Sequence, residues 1–158
     1  MIKVGFGFDV HKLKKGNELW IGGVKIDSDK GSVGHSDGDV LIHAICDAIL
    51  GAANLRDIGF HFPDTDPKYK GIDSKVLLRE VCDKLDQAGY VINNIDSTVS
   101  LEKPKISGYI PDMLIALSET INLDKNNISI KATTTEKLGF TGRQEGIAAY
   151  AVVLITRK

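Results

Sequence analysis

The sequence predicts an α+β protein in which helices cover a sheet, because strand-like and helix-like segments are mixed without the strict alternation of a doubly wound sheet. Its length of 158 residues lies in the usual range for one domain, so we expect a single domain over residues 1–158. Hydrophobic residues at 42% and charged residues at 26% are the balance of an ordinary globular protein, and no repeat, linker or low-complexity tract divides the chain.

Residues 2 to 10 are rich in Val, Ile and Phe with interleaved glycines, the pattern of a strand approached closely by other backbone or by a ligand. Leu19-Trp20-Ile21 and Val24-Lys25-Ile26 flank Gly22-Gly23, which predicts a hairpin with a glycine turn. Capping side chains in Ser36-Asp37-Gly38-Asp39 precede an apolar run and predict a helix from about Asp39 to Leu50. Residues 54 to 72 read as an irregular loop, and such loops in small domains are often functional. After Asp73-Ser74, the helical spacing of Val76, Leu77, Val81, Leu85 and Ala88 predicts a second helix stopped by Gly89. Alternation between Ile95 and Glu102 gives a half-buried strand broken by Pro104. A third helix opens at Pro111 and turns Met113, Leu114, Leu117 and Ile121 to the core. Residues 128–132 and 147–155 are the remaining strands.

A formal net charge of −1 supplies no overall basic field for nucleic acid or an anionic membrane, so phosphate binding must be local. The first residues lack the pattern of a signal peptide, and no apolar run is long enough to span a bilayer; the expectation is a cytoplasmic protein. Cys46 and Cys82 lie among apolar residues in helix-like segments and read as buried free thiols.

Asp9 and His11 are two apart on a strand, which puts a carboxylate and an imidazole on one face. Asp39, His43 and Asp47 make a stripe at spacing four along an otherwise apolar helix. Taken alone, that stripe is as well explained by a structural histidine held between two acids. Asp9, His11 and His43 together form the three-ligand pattern of a catalytic zinc site with one open position, and the helix acids would then orient His43. Ala132-Thr133-Thr134-Thr135-Glu136 and Gly139-Phe140-Thr141-Gly142-Arg143 offer hydroxyls and a guanidinium for phosphate, with Glu136 for a second hard cation; without the metal constellation a solvated threonine-rich turn would be the better reading. His35 and Ser36 sit near the amino end of the first helix, where anions are favoured, although structural capping explains Ser36 equally well. Lys103-Pro104-Lys105 is either a phosphate clamp or an exposed turn, and His61 reads as a packed histidine.

The motifs Phe8-Asp9-Val10-His11, Gly34-His35-Ser36-Asp37-Gly38-Asp39 leading to His43, Asp57-Ile58-Gly59 with Phe62-Pro63-Asp64-Thr65-Asp66, and Ala132 through Arg143 occur in this order over nearly the whole chain. In this the sequence resembles the 2-C-methyl-D-erythritol 2,4-cyclodiphosphate synthase family. The resemblance implies conversion of 4-diphosphocytidyl-2-C-methyl-D-erythritol 2-phosphate into the cyclic diphosphate plus CMP, in the non-mevalonate route to isoprenoid precursors. It implies Zn2+ on Asp9, His11 and His43, and Mg2+ or Mn2+ on Glu136. His35 and Thr134 would stabilise the transition state, and Asp57 and Gly59 would hold the methylerythritol part. Lys105, Ala132 and Thr133 would help to bind the cytidine diphosphate. Substrate contacts are further implied for Val10, Ser36, Ile58, Phe62, Pro63, Asp64, Thr65, Asp66, Ile106, Ser107, Thr135, Phe140 and Arg143. The implied assembly is a homotrimer of ferredoxin-like subunits with active sites between neighbours. Arg56 stands where the family pattern leads one to expect a small residue. Two rival readings share these residues: a metal-dependent phosphohydrolase that activates water, and a trimeric nucleotide-binding module without catalysis.

Overall fold

The computed structural model describes residues 1–158, and a mixed sheet organises them. Strands β1 (Ile2–Lys15), β4 (Lys30–Ser32), β5 (Tyr90–Ser100), β6 (Ile128–Thr133) and β7 (Gly146–Arg157) lie in the order β4-β1-β7-β5-β6. Only β5 and β6 pair in parallel. That pair requires a crossover, which the helix α4 (Ile110–Ile121) provides. The hairpin of β2 (Leu19–Ile21) and β3 (Val24–Ile26) closes through Gly22 and Gly23 with φ of 60° and 78°, the left-handed pair that a two-residue turn of this kind demands.

Helix α1 (Val40–Ala52) lies directly on β1, and the glycines explain how closely. A Cβ added at Gly5 would stand 1.9 Å from the Ala48 carbonyl oxygen, and one at Gly7 1.8 Å from that of Ala44. Bare strand backbone thus meets the small-residue side of the helix, and the next odd positions of β1, Asp9 and His11, come level with His43. The N-cap of α1 is Asp39, as its sequence context predicts, and its buried carboxylate accepts from Ile42 N–H at 3.0 Å. It also accepts from Gly22 N–H at 2.9 Å and Gly23 N–H at 2.7 Å, which fastens the hairpin to the helix start.

Helix α3 (Ser74–Gln87), capped by Asp73, and α4 complete the helical layer, and 33 buried residues form one continuous core between it and the sheet. Cys46 lies wholly inside this core, and Cys82 packs against it. The single turns α2 (Ile58–His61) and α5 (Gly139–Gly142) and strand β4 are additions to the elements read from sequence, while β1 runs five residues past its expected end and β5 starts five earlier. No helix is long and apolar enough to cross a membrane.

The even positions of β1 face away from the helices. Ile2, Val4, Phe6, Phe8 and Val10 are exposed, Phe6 by 63%, and Tyr150 and Val152 of β7 extend the patch. Phe8 and Tyr150 touch across the strands with ring centroids 5.2 Å apart. The helices therefore cover one face of the sheet and leave the other bare and apolar along two adjacent strands.

Candidate metal centre and phosphate loop

Asp9 and His11 leave β1 on the helical side and meet His43 of α1. The Asp9 Oδ2 atom lies 2.8 Å from His11 Nε2 and 3.1 Å from His43 Nδ1, and the two ring nitrogens are 3.2 Å apart. A tetrahedral ion with bonds of ~2.0–2.1 Å spaces its ligands ~3.3 Å apart, so the triangle is close to the size such an ion needs. These three residues can hold a metal by composition and by mutual distance. The far nitrogen of His11, Nδ1, is 3.0 Å from the Val33 carbonyl. A carbonyl only accepts, so Nδ1 carries the hydrogen and the Nε2 lone pair of the neutral ring points into the triangle.

Charge agrees with geometry. Burial opposes ionisation of Asp9, but the His11 and His43 rings beside it outweigh it and hold the carboxyl down to about 2. Burial likewise opposes charge on His11, yet the Asp9 carboxylate beside it raises its pKa. A carboxylate and two imidazoles in contact favour positive charge between them.

The acids of the α1 stripe do not orient His43, contrary to the sequence expectation. Asp39 is fully used as a cap and hairpin anchor, and Asp47 accepts from Ile58 N–H at 2.7 Å. Asp47 thereby ties the Asp57-Ile58-Gly59 loop to α1; burial raises its carboxyl, a trend that the Ile58 amide opposes. The partners of His43 Nε2 are instead Ser74 Oγ at 2.8 Å and Ser36 Oγ at 3.1 Å. Ser74 lies 31 residues from His43 in the chain, and nothing in the local sequence marks it beyond its place at a helix start.

An open cleft of about 500 Å³ surrounds the triangle, lined by Val33, His35, Ser36, Ile58, Gly59, Phe62, Asp64 and Tyr69 among others. His35 Nε2 donates to the Asp66 carbonyl at 3.0 Å, which draws the 63–66 loop over the cleft. Tyr69, which the sequence did not single out, meets Phe62 edge to face. Asp57 caps the α2 turn through Phe60 N–H at 3.2 Å, and Pro63, Thr65 and Asp66 belong to the adjoining loop. The Val10 side chain lies on the opposite, bare face of the sheet. Arg56 has φ of 70°, a conformation that glycine adopts without strain, which accounts for the small residue expected there; its guanidinium stacks 4.1 Å over Phe60. His61 packs as expected, with Nε2 2.7 Å from the Leu55 carbonyl.

The other expected site residues gather elsewhere. Lys105, Ile106, Ser107, Ala132, Thr133 and Thr134 line a separate cleft of about 200 Å³ beside Leu101, Glu102 and Pro104. Across the sheet, Asp9 pairs with Ala149, Ala149 with Val99, and Val99 with Ala132, which is three strand spacings or ~14 Å between the two groups. Beyond Thr134 the chain turns sharply: Glu136 and Lys137 have φ of 53° and 65°, and Thr135 Oγ1 donates to the Leu138 carbonyl at 2.6 Å. Glu136, Phe140 and Arg143 are exposed outside both clefts, and Arg143 pairs with Glu145 at 2.9 Å.

Comparison with known proteins places this architecture. The YgbB family profile matches residues 2–156. The 2-C-methyl-D-erythritol 2,4-cyclodiphosphate synthase of Parabacteroides distasonis is 64% identical over 156 residues, covering 99% of this chain and 97% of that protein. Among solved structures, the bifunctional IspDF of Campylobacter jejuni superposes with a TM-score of 0.96 at 44% identity; the match covers all of this chain and 43% of that longer one. The IspF of Plasmodium falciparum in its CDP complex gives 0.87 at 36% identity, covering 99% of this chain and 97% of the other.

Proposed function

The chain belongs to the YgbB family and acts as a 2-C-methyl-D-erythritol 2,4-cyclodiphosphate synthase of the non-mevalonate isoprenoid pathway; from that premise we propose how its residues share the reaction. One catalytic domain over residues 1–158, working in the cytoplasm, holds Zn2+ on Asp9, His11 and His43, and Mg2+ or Mn2+ on Glu136. The observation that carries the zinc assignment is the triangle of one carboxylate oxygen and two imidazole nitrogens, 2.8 to 3.2 Å apart.

The substrate's 2-phosphate oxygen attacks the phosphorus next to the methylerythritol; a new P–O–P bond forms, the P–O bond to CMP breaks, and CMP leaves with the electron pair. No protein nucleophile is needed, so the residues position groups and offset charge. Bound divalent cations supply Lewis-acid neutralisation of the crowded phosphate oxygens. His35 and Thr134 stabilise the phosphate oxygens as charge builds in the transition state. Asp57, Ile58 and Gly59 hold the methylerythritol hydroxyls, steadied by Asp47 on α1, while Phe62, Tyr69 and the 63–66 loop limit the entry of water. Lys105, Ala132, Thr133 and the neighbouring Ile106 and Ser107 receive the cytidine diphosphate, a role supported by the CDP complex of the Plasmodium falciparum relative.

A substrate cannot bridge clefts ~14 Å apart on one subunit and still hold both phosphates between two cations. A homotrimer of these subunits, ferredoxin-like in their sheet-and-helix layering, answers this by setting the phosphate loop of one chain beside the metal cluster of the next. The exposed apolar strip of Val4, Phe6, Phe8, Val10, Tyr150 and Val152 supports it, since a bare sheet face of this kind is ordinarily covered.

Turnover in oxygen-18 water tests the cyclisation. Held on one substrate, the internal oxygen has an effective concentration on the order of 10⁵ M or more in favourable systems, against ~55 M for water, so neither product should carry solvent oxygen. Oxygen-18 on the newly cleaved phosphate would make the enzyme a phosphohydrolase instead.

A further inference from the structure

We propose that Ser74, itself oriented by Asp37, is a positioning residue that fixes the tautomer of His43 so that its Nδ1 lone pair faces Asp9 and His11. The inference deepens the reading of that triangle as a metal site and rests on it.

The argument follows one proton. Ser74 Oγ lies 2.5 Å from Asp37 Oδ1, and Ser74 N–H donates to Asp37 Oδ2 at 2.9 Å. A carboxylate has no hydrogen to give, so the single hydroxyl proton of Ser74 lies on the line to Asp37. The oxygen can then only accept on its other side, where His43 Nε2 stands at 2.8 Å. Nε2 must therefore carry the ring hydrogen. Ser36 Oγ, which accepts from Gly38 N–H, stands 3.1 Å from the same nitrogen and has a lone pair free to accept there too. The remaining nitrogen, Nδ1, is left with its lone pair toward Asp9 Oδ2 at 3.1 Å and His11 Nε2 at 3.2 Å.

The relay is held from several sides. Ser74 is fully buried at the first position of α3, and Asp37 also accepts from Asp39 N–H at 3.1 Å while its own N–H donates to the Ile72 carbonyl. Without it, the best partner for a ring proton would be Asp9 Oδ2 on the Nδ1 side, and a proton there occupies the lone pair a cation needs. The loop before α1 and the start of α3 thus do for His43 what the Val33 carbonyl does for His11. The stripe acids Asp39 and Asp47, although nearer in sequence, are engaged elsewhere.

The test reads both tautomer and metal. In metal-free protein labelled with nitrogen-15 in histidine, long-range proton–nitrogen spectra at alkaline pH should show His43 protonated on Nε2. Asp37→Ala removes the carboxylate that accepts the Ser74 hydroxyl proton. That proton is then free to turn to His43, so the ring should change to the Nδ1-protonated form. Zinc affinity, measured by chelator competition, should fall by about 10–100-fold in Asp37→Ala and in Ser74→Ala. Asp73→Ala is the control: it removes the N-cap of the same helix, where Asp73 accepts from Lys75 N–H at 2.9 Å, and should lower the melting temperature while leaving tautomer and affinity unchanged. A wild-type His43 protonated on Nδ1 overturns the inference on its own, whether or not any variant folds. So do variants that keep both the tautomer and zinc affinity within about threefold of wild type. A wild-type protein that binds no zinc refutes the metal reading, and the spectra still decide the relay.

Discussion

Asp9, His11 and His43 are each held by groups of their own chain, while Thr133, Thr134 and Glu136 stand at the exposed end of β6 with little to fix them. Both groups lie at the same level of one sheet, three strand spacings apart, but one stands on an inner strand and the other on the edge strand. The metal cluster gains its support from a sheet-on-helix contact tight enough to demand Gly5 and Gly7. The phosphate loop has the hydroxyls and the carboxylate but lies at an edge of the layer, beyond the core. One half is organised within the chain; on the proposed reading the other is completed by a neighbouring subunit. A site divided in this way should respond very differently to substitutions in its two halves.

The largest effect belongs to the cluster. His43→Ala and Asp9→Ala each remove one of three proposed ligands, so zinc and activity should be lost together, with turnover falling on the order of 10³-fold or more. Full zinc content in both purified variants would show that the ligands are misassigned. Next is the bare sheet face. Phe6→Glu places a charge on a strip whose burial is worth about 1.5–3 kcal/mol per large side chain. Sedimentation should find it monomeric, with zinc retained and activity gone. A monomer that stays active would mean that one chain carries the whole site.

Glu136→Gln probes the other half. It should keep zinc but require roughly tenfold or more Mg2+ or Mn2+ for half-maximal rate, because a charged oxygen ligand becomes a neutral one. A titration that superposes on wild type would remove Glu136 from the second cation. Cys46→Ser should change least. It should keep zinc and rate while losing about 1–3 kcal/mol of stability, since it buries a hydroxyl in the core beneath the cluster. Zinc loss in that variant would place the thiol among the ligands.

The same division governs what could be read from sequence. The glycine-turn hairpin, the Asp39 cap and the pairing of Asp9 with His11 on one strand face are local facts, fixed by spacing of two to four residues. Strand β4 is three residues long and is a strand only because Leu13–Lys15 of β1 pair with it. Ser74 and Asp37 meet only when α3 docks on α1, so a reader of sequence looks instead to Asp39 and Asp47, the acids at helical spacing. The ~14 Å between the metal cluster and the phosphate loop depends on strand order, which no local pattern encodes. The resemblance names the residues of both halves and implies a site between neighbours; the fold adds the distance that separates them on one chain.

The division itself is the central claim, and subunit mixing tests it most directly. His43→Ala lacks a working cluster and Lys105→Ala lacks a working phosphate side, so each alone should be nearly inactive. After the two proteins are mixed and exchange of subunits is demonstrated, some interfaces join an intact cluster to an intact phosphate side, and a substantial fraction of wild-type turnover should return. No recovery, with exchange proven, would place the complete site within a single chain and contradict the account.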